Sequence, residues 1–350
     1  MASVRQIASV AGVSPATVSR ILNNDPDVDQ GTRERVLQIA NKLGYSPRIG
    51  RRVKTVLGIG LPSDPPRDLG SFDGAIVAGA SRGCRDGGFN LALVDIVTER
   101  KPNEAFSQFF SRLGIRGIIL RRLPSLNEVL QEIAKEGFPH VLLADRVDDD
   151  RISWIDTDSK TPSRDAVTHL IELGHTRIVA GRYSRGGRDA LDRYEGYLEA
   201  HANAGLEVDP RLVVDCGDEL EDGARAVDFA MSLPNPPSAF YMMHSMSSLG
   251  ALRRLLERGL RVPEDVSIVG MDDCESRLIP YPRMTTVRQD AYDMAYRAAR
   301  WLVRTVESPV EPLRETVPGI FEVNQTTTLA SDTPIRVLPD GRIVVESSPR

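Results

Sequence analysis

Residues Ser3–Asn24 read SVRQIASVAGVSPATVSRILNN, and the spacing within this stretch decides how the rest of the chain is read. Val4, Ile7, Ala8 and Ala11 recur at i, i+3, i+4 and i+7, so they share one face of a helix over 4–11. Gly12 is the natural stop for that helix. Val13 plugs the corner, Ser14 is an N-cap, and Pro15 occupies the first helical position, where its missing N–H costs nothing. The second helix runs to about Leu22 and buries Val18, Ile21 and Leu22. Its outer face is Pro15, Ala16, Thr17, Ser19, Arg20 and Asn23, which is small, polar and singly basic. Such a face suits the DNA major groove. Small side chains allow close approach, hydroxyls and amides reach phosphates and base edges, and Arg20 can contact a guanine in bidentate fashion. A helical hairpin inside a larger core is the alternative. It fits less well, because the buried stripe is narrow and the outer face carries no solubilising Glu or Lys.

A third helix is expected over Gln30–Leu43, with Val36, Ile39, Ala40 and Leu43 facing in and Gly44 ending it. The loop before it carries Asp25, Asp27 and Asp29, expected to point away from phosphate. Residues 47–54, PRIGRRVK, form a basic linker whose Arg48, Arg51, Arg52 and Lys54 suit phosphate or a narrow minor groove as well as plain solvent. The residues expected to contact DNA are Ser3, Ser14, Pro15, Ala16, Thr17, Ser19, Arg20, Asn23, Thr32, Arg48, Arg51 and Arg52.

The motifs AGVSPATVSRILN, TRERV at Thr32–Val36 and LGYSP at Leu43–Pro47 resemble the headpiece of LacI/GalR-type bacterial transcriptional regulators. The resemblance continues more loosely to about residue 328. It implies a headpiece over 1–46, a hinge over 47–54 and a two-lobed effector-binding and dimerisation core over 55–330. In that family the linker forms a hinge helix on DNA, with a leucine wedged into the minor groove. Here the linker is shorter by roughly five residues and Lys54 stands in the leucine's place, so the operator is expected to bend less.

Charge agrees with a single DNA-facing end. Residues 1–54 hold nine Lys/Arg and four Asp/Glu, a balance of +5, and the remainder of the 350-residue chain holds 35 and 45, a balance of −10. The composition, 41% hydrophobic and 27% charged, is that of a globular chain large enough for more than one domain. Cys84, Cys216 and Cys274 are far apart, without disulfide or zinc spacing, and read as reduced thiols of a cytoplasmic, nucleoid-associated protein. The start of the chain has no signal-peptide pattern, and no apolar run approaches membrane-spanning length.

From Thr55 the rhythm changes. Short β-rich runs at 55–61, 90–96, 116–120, 140–145, 153–158, 177–181, 211–216, 238–243 and 266–271 alternate with helical stretches. Several of those helices stop at glycine, as at Gly114, Gly137, Gly174, Gly205 and Gly259. Strand, helix, glycine stop, strand is the pattern of doubly wound parallel α/β units, and near-continuously apolar strands are covered on both faces. About 270 residues is long for one such sheet. The resemblance likewise implies a two-lobed periplasmic-binding-protein-like core with three crossings, placed near Ser153–Thr157, Tyr281–Thr286 and Pro318–Phe321. Lobe 1 is then about 55–153 and 285–318, and lobe 2 about 154–284 and 319–330. Residues 331–350 lie beyond the family pattern, and RVLPDGRIVV predicts a small terminal hairpin about Pro-Asp-Gly.

Ligands bind outside the carboxyl ends of the strands in open α/β sheets. The residues there are Ser63, Asp64, Asp95, Arg121, Asp145, Arg146, Tyr183, His244, Ser245, Asp272 and Asp273. Carboxylates and an Arg can grip vicinal hydroxyls of a sugar, although any one of these Asp residues could equally cap the next helix. The resemblance singles out Asp145 in ADR, Arg193 in DRYEGY and Asp272 in GMDD. Where relatives carry Asn-Asp before A-x-G-A, this chain has His244-Ser245, so the usual amide contact is lost or replaced by imidazole and the effector is left open between a sugar and another small ligand. Asn324 stands where an Arg is common.

Enzyme motifs are missing: GRYSRGGR at 181–188 lacks the Lys and Ser/Thr of a phosphate loop, and Tyr183–Gly186 lacks the glycine of a nucleophile elbow. No metal or cofactor is implied. A transport-type sugar-binding protein would share the core but not the basic helix-turn-helix. The expected partners are a palindromic double-stranded operator, a small effector such as a carbohydrate, and a second copy of the chain, with no membrane.

Overall fold

The computed structural model describes residues 3–22, 25, 27–43, 56–61, 71–121, 127–184, 186–272, 275–308, 310–331, 335–337 and 343–345. The chain divides into two compact units, 1–54 and 55–350.

In the first unit α1 (Val4–Ala11), α2 (Pro15–Leu22) and α3 (Gln30–Lys42) close around Ile7, Ala8, Ala11, Val18, Ile21, Val36 and Ala40. Local chemistry fixes each helix end. Ser3 and Gln6 form a reciprocal capping box at α1, with Oγ–N and N–Oε1 distances of 3.2 and 3.0 Å. Gly12 ends α1 at φ +67°, which a side chain would resist. Ser14 Oγ accepts from the Thr17 N–H at 3.0 Å. Asp29, though exposed, caps a helix: its carboxylate accepts from Thr32 N at 2.9 Å and Gly31 N at 3.3 Å, starting α3. These bonds, the Thr32 hydroxyl's first, hold its pKa below the usual carboxylate range.

The second unit contains two six-stranded sheets. The first, ordered β11-β5-β4-β3-β1-β2, is parallel throughout. Its strands are β1 (Val56–Leu61), β2 (Asn90–Asp95), β3 (Ile115–Arg121), β4 (His140–Leu143), β5 (Ser153–Asp158) and β11 (Arg314–Pro318). The second is ordered β12-β10-β9-β8-β6-β7 and is parallel except for β12. It is built from β6 (Ile178–Tyr183), β7 (Val213–Cys216), β8 (Ala239–Met242), β9 (Ser267–Asp272), β10 (Thr285–Arg288) and β12 (Ile320–Glu322). Period-2 alternation divides the apolar runs between two covered faces. Ile119, Val141 and Ile155 meet α4 (Ser71–Asp86) and α11 (Ala291–Glu307), while Ile118, Leu120 and Leu142 meet α5 (Phe106–Leu113) and α6 (Asn127–Lys135). The second sheet is covered likewise by α7 (Lys160–Glu172) and α8 (Arg188–Asn203) on one face, and by α9 (Leu220–Met231) and α10 (Ser245–Glu257) on the other. The last pair cross at Gly223 and Gly250, where a Cβ on either residue would collide with the facing backbone carbonyl of Ser247 or Leu220.

The crossings differ from expectation at two points. Residues 153–158 remain paired with β4 and β11, so the chain leaves lobe 1 at Ser159 and not within 153–157. Residues 285–288 pair with β9 in lobe 2, and the return comes at Gln289–Asp290 and not at 281–286. In both places the extended ladder runs on to the carboxyl edge of its sheet before the chain crosses. Lobe 1 accordingly takes in 154–158, and lobe 2 takes in 285–288. The third crossing is Gly319, between β11 and β12. Beyond it, β13 (Ile335–Val337) and β14 (Ile343–Val345) pair antiparallel as a separate ribbon, and the Pro-Asp-Gly turn between them lies outside the described residues.

Candidate functional site

The strand orders place β1 beside both β2 and β3 in lobe 1, and β6 beside both β7 and β8 in lobe 2. Each is a switch point, where the connections diverge and leave a crevice at the carboxyl edge. Arg121 ends β3, where it pairs with Asp73 of α4 and lies over the Phe72 ring, 4.6 Å from its centroid. Tyr183 ends β6 and its ring lies 4.9 Å from that of His244, which follows β8. Ser63, Asp64 and Asp273 lie outside the described residues. Asp95 is used locally, accepting from Val97 N and Thr98 N at 2.9 and 2.8 Å.

Asp145 joins the lobes. Ala144, at φ +57°, turns the backbone so that the buried Asp145 carboxylate accepts from the Arg188 N–H at 3.2 Å, at the start of α8 in lobe 2. It also accepts from Arg146 N at 2.8 Å. A Cβ on Gly187 would collide with this carboxylate. The strand-end acid is therefore a helix cap, but for a helix of the other lobe. One residue on, Arg146 reaches Asp156 of β5 at 2.7 Å and Asp192 of α8 at 2.6 Å. Burial, with Asp189 nearby, pushes the Asp156 carboxyl up to about 7 even though Arg146 opposes the shift.

Arg193 is buried inside lobe 2. Its Nη1 donates to the Met243 carbonyl at 2.7 Å, its Nη2 pairs with Asp189, and its Nε has no partner among the described residues. It thus ties α8 to the segment that presents His244. Asp272 is buried at the end of β9, 2.6 Å from Arg277 Nη1, and accepts from the Ser276 hydroxyl at 2.7 Å. Arg277 also holds Glu322 at 2.9 Å, and Glu322 in turn pairs with Arg288 at 2.9 Å.

A cavity of about 410 Å³ opens beside this cluster, lined by Asp272, Glu275, Arg288 and Gln289 of lobe 2, by Asp290 and Tyr292 as the chain returns, and by Ala75 of lobe 1. Asp272 is the one expected effector contact that lines it. Among the described residues Asp145, Arg193 and His244 do not line it: Asp145 caps α8, and Arg193 on α8 holds the Met243 carbonyl next to His244. Sequence reasoning missed Gln289 and Arg288, because the crossing was placed near Tyr281–Thr286 and no strand was read there. It also missed Asp156 and Asp192, whose carboxylates matter only because Arg146 reaches both. No group of acidic, His or Cys side chains suited to a metal ion occurs among the described residues, and none of the described helices is long and apolar enough to cross a membrane.

In the headpiece, Ser14, Pro15, Ala16, Ser19 and Arg20 are all exposed, as a reading face requires. Arg20 is held loosely, its Nε 3.8 Å from Asp25. Ser3, Ser14 and Thr32 also serve helix starts, and Asn23, Arg48, Arg51 and Arg52 lie outside the described residues.

Residues 3–48 match the family described as bacterial regulatory proteins, lacI family, and residues 167–327 match the periplasmic binding protein-like domain. The repressor CytR of Escherichia coli (strain K12) is 30% identical over 305 residues, covering 85% of this chain and 87% of its own. The chain belongs to the LacI family. The probable repressor ExuR of Bacillus subtilis (strain 168) is 27% identical over 315 residues, 88% of this chain and 93% of its own. Among solved structures, the regulator CelR in complex with cellobiose superposes with a TM-score of 0.65 at 28% identity, covering 93% of this chain and all of that one. The lac repressor dimer bound to operator shares the fold, with a TM-score of 0.74 at 22% identity over 93% of this chain and 99% of its own. This LacI-family chain is a DNA-binding transcriptional regulator, in a family of regulators and not of enzymes.

Proposed function

We propose that this chain is a cytoplasmic repressor whose grip on a palindromic operator is set by a small ligand held between its lobes. The observation that carries the reading is the pairing of an exposed, singly basic recognition helix with a cavity lined from both lobes. The recognition helix supplies Pro15, Ala16, Thr17, Ser19, Arg20 and Asn23 to the major groove, Ser3, Ser14 and Thr32 add backbone contacts, and Arg48, Arg51 and Arg52 follow the phosphates. The ligand is a carbohydrate gripped through carboxylate and amide groups, in keeping with the cellobiose complex of the related CelR. A second copy completes the two-fold reader. Leu278, Ile279 and Tyr281 are 43%, 81% and 85% exposed on lobe 2, a patch that favours burial in a dimer.

A non-sugar effector is the second reading, favoured by the Tyr183–His244 ring pair where an amide is usual. Fluorescence anisotropy with DNA from upstream of the gene, across salt and with a panel of mono- and disaccharides, separates the two. Specific binding altered by one sugar supports the first. Specific binding indifferent to every sugar supports the second, and no specific binding overturns the operator reading.

A further inference from the structure

Arg146 makes a bridge that none of the expected contacts includes. It stands after β4 in lobe 1 and divides its guanidinium between a carboxylate of its own lobe, Asp156 at 2.7 Å, and one of the other, Asp192 of α8 at 2.6 Å. Asp192 is also held by Arg188 at 2.8 Å, and Arg188 continues to Glu195 at 2.8 Å. Asp156 is fully buried, and its Oδ1 has no partner among the described residues. Asp189, which shares α8 with Asp192, faces Asp156 as a like charge from the opposite lobe, itself held by Arg193 and Ser159.

We propose that Arg146, beside the Asp145 cap, couples the two lobes through its charge, and that Asp156 regulates this coupling by gaining or losing a proton. Asp156 and Asp192 take different nitrogens of Arg146, Nη1 and Nη2, so the two do not compete, but ionised Asp156 repels Asp189 across the lobe boundary. Protonated Asp156 removes that repulsion, and the lobes hold more tightly. Burial favours the neutral form in the closed arrangement, where the carboxyl titrates near 7. Opening would return Asp156 to water and to ordinary acidity near 4. Closing then takes up a proton, and linkage gives the sign: the closed arrangement gains as pH falls through 7. The closed-to-open ratio should rise roughly tenfold from pH 8 to pH 6. Coupling of this to operator affinity rests on the regulator reading above, but lobe closure can be measured without ligand or DNA.

The test is pulsed EPR on the full chain carrying nitroxides at Lys135→Cys in lobe 1 and Ala202→Cys in lobe 2, with the native cysteines replaced by alanine. The expected result is a short-distance population that grows as pH falls, with a midpoint between 6 and 8. Asp156→Asn, a permanently neutral mimic, should be closed and flat across that range. Arg146→Met should lose the closed population at every pH, and Arg146→Lys should keep part of it. Circular dichroism of each variant excludes unfolding as the cause. A wild-type distance profile independent of pH, or an Arg146→Met profile identical to wild type in a folded protein, would overturn the proposal whatever the fate of the operator reading.

Discussion

Replacing Asp272 by Asn asks whether this acid serves the ligand or the fold. The carboxylate is buried against a nearly buried Arg277 at 2.6 Å and accepts from Ser276 at 2.7 Å. Removing one partner of a buried pair costs about 3–5 kcal/mol when the remaining charge is stranded. Here Arg277 keeps Glu322 at 2.9 Å and the Asn carbonyl can still accept from Ser276, so about 2 kcal/mol is expected. With a urea slope of about 2 kcal/mol/M the midpoint of lobe 2 should drop by about 1 M. Both tryptophans, Trp154 and Trp301, belong to lobe 1. Far-UV circular dichroism should therefore register the early loss of lobe 2, while tryptophan fluorescence lags. A variant with an unchanged midpoint by both signals would refute the reasoning and make Asp272 a group held ready for ligand.

Other expectations follow from the same contacts. Arg20→Ala should flatten discrimination between operator and altered half-sites by about 1–3 kcal/mol in anisotropy titrations, and retained preference would remove Arg20 from base reading. Gly250→Ala drives a methyl into the Leu220 carbonyl and should cost about 2–3 kcal/mol in chemical denaturation of lobe 2. Burial holds the pKa of His140, His175 and His201 below the ordinary histidine value, so the unfolded chain takes up protons first and stability should fall as pH drops below about 6.5. Asp156 acts with the opposite sign and offsets about 2 kcal/mol between pH 7.5 and 5.5. Melting temperatures of Asp156→Asn should therefore fall more steeply with acid than those of wild type.

The headpiece was legible because its decisive bonds are local: Ser14 caps three residues ahead, and Gly12 supplies a left-handed turn that its neighbours resist. The strands were legible because Ile118, Ile119 and Leu120 are apolar whichever face they point to, which marks a sheet covered twice. The site was only partly so. A strand-end Asp announces a cap or a ligand contact, but that Asp145 caps α8 of the other lobe depends on how two sheets are set against each other. Asp156 and Asp192 are 36 positions apart, and nothing in their neighbourhoods signals that one arginine spans them. Gln289 was hidden because the short strand β10 went unread and the crossing was placed before it, near Tyr281–Thr286.

The single residue Gly319 separates the edge strand of one sheet from the edge strand of the other. During synthesis the first sheet cannot be completed until the ribosome has passed Pro318, nor the second until it has passed Glu322, and the core of lobe 1 also waits for α11, whose Ala291–Val303 face fills it. β5 must therefore present an open edge from its own synthesis until β11 is made, and β10 for the short stretch until β12 follows, the condition in which chains pair with the wrong neighbour. A nascent chain halted before Arg314 should associate with chaperones as an unfinished pair of lobes, and release after Glu322 should close both together.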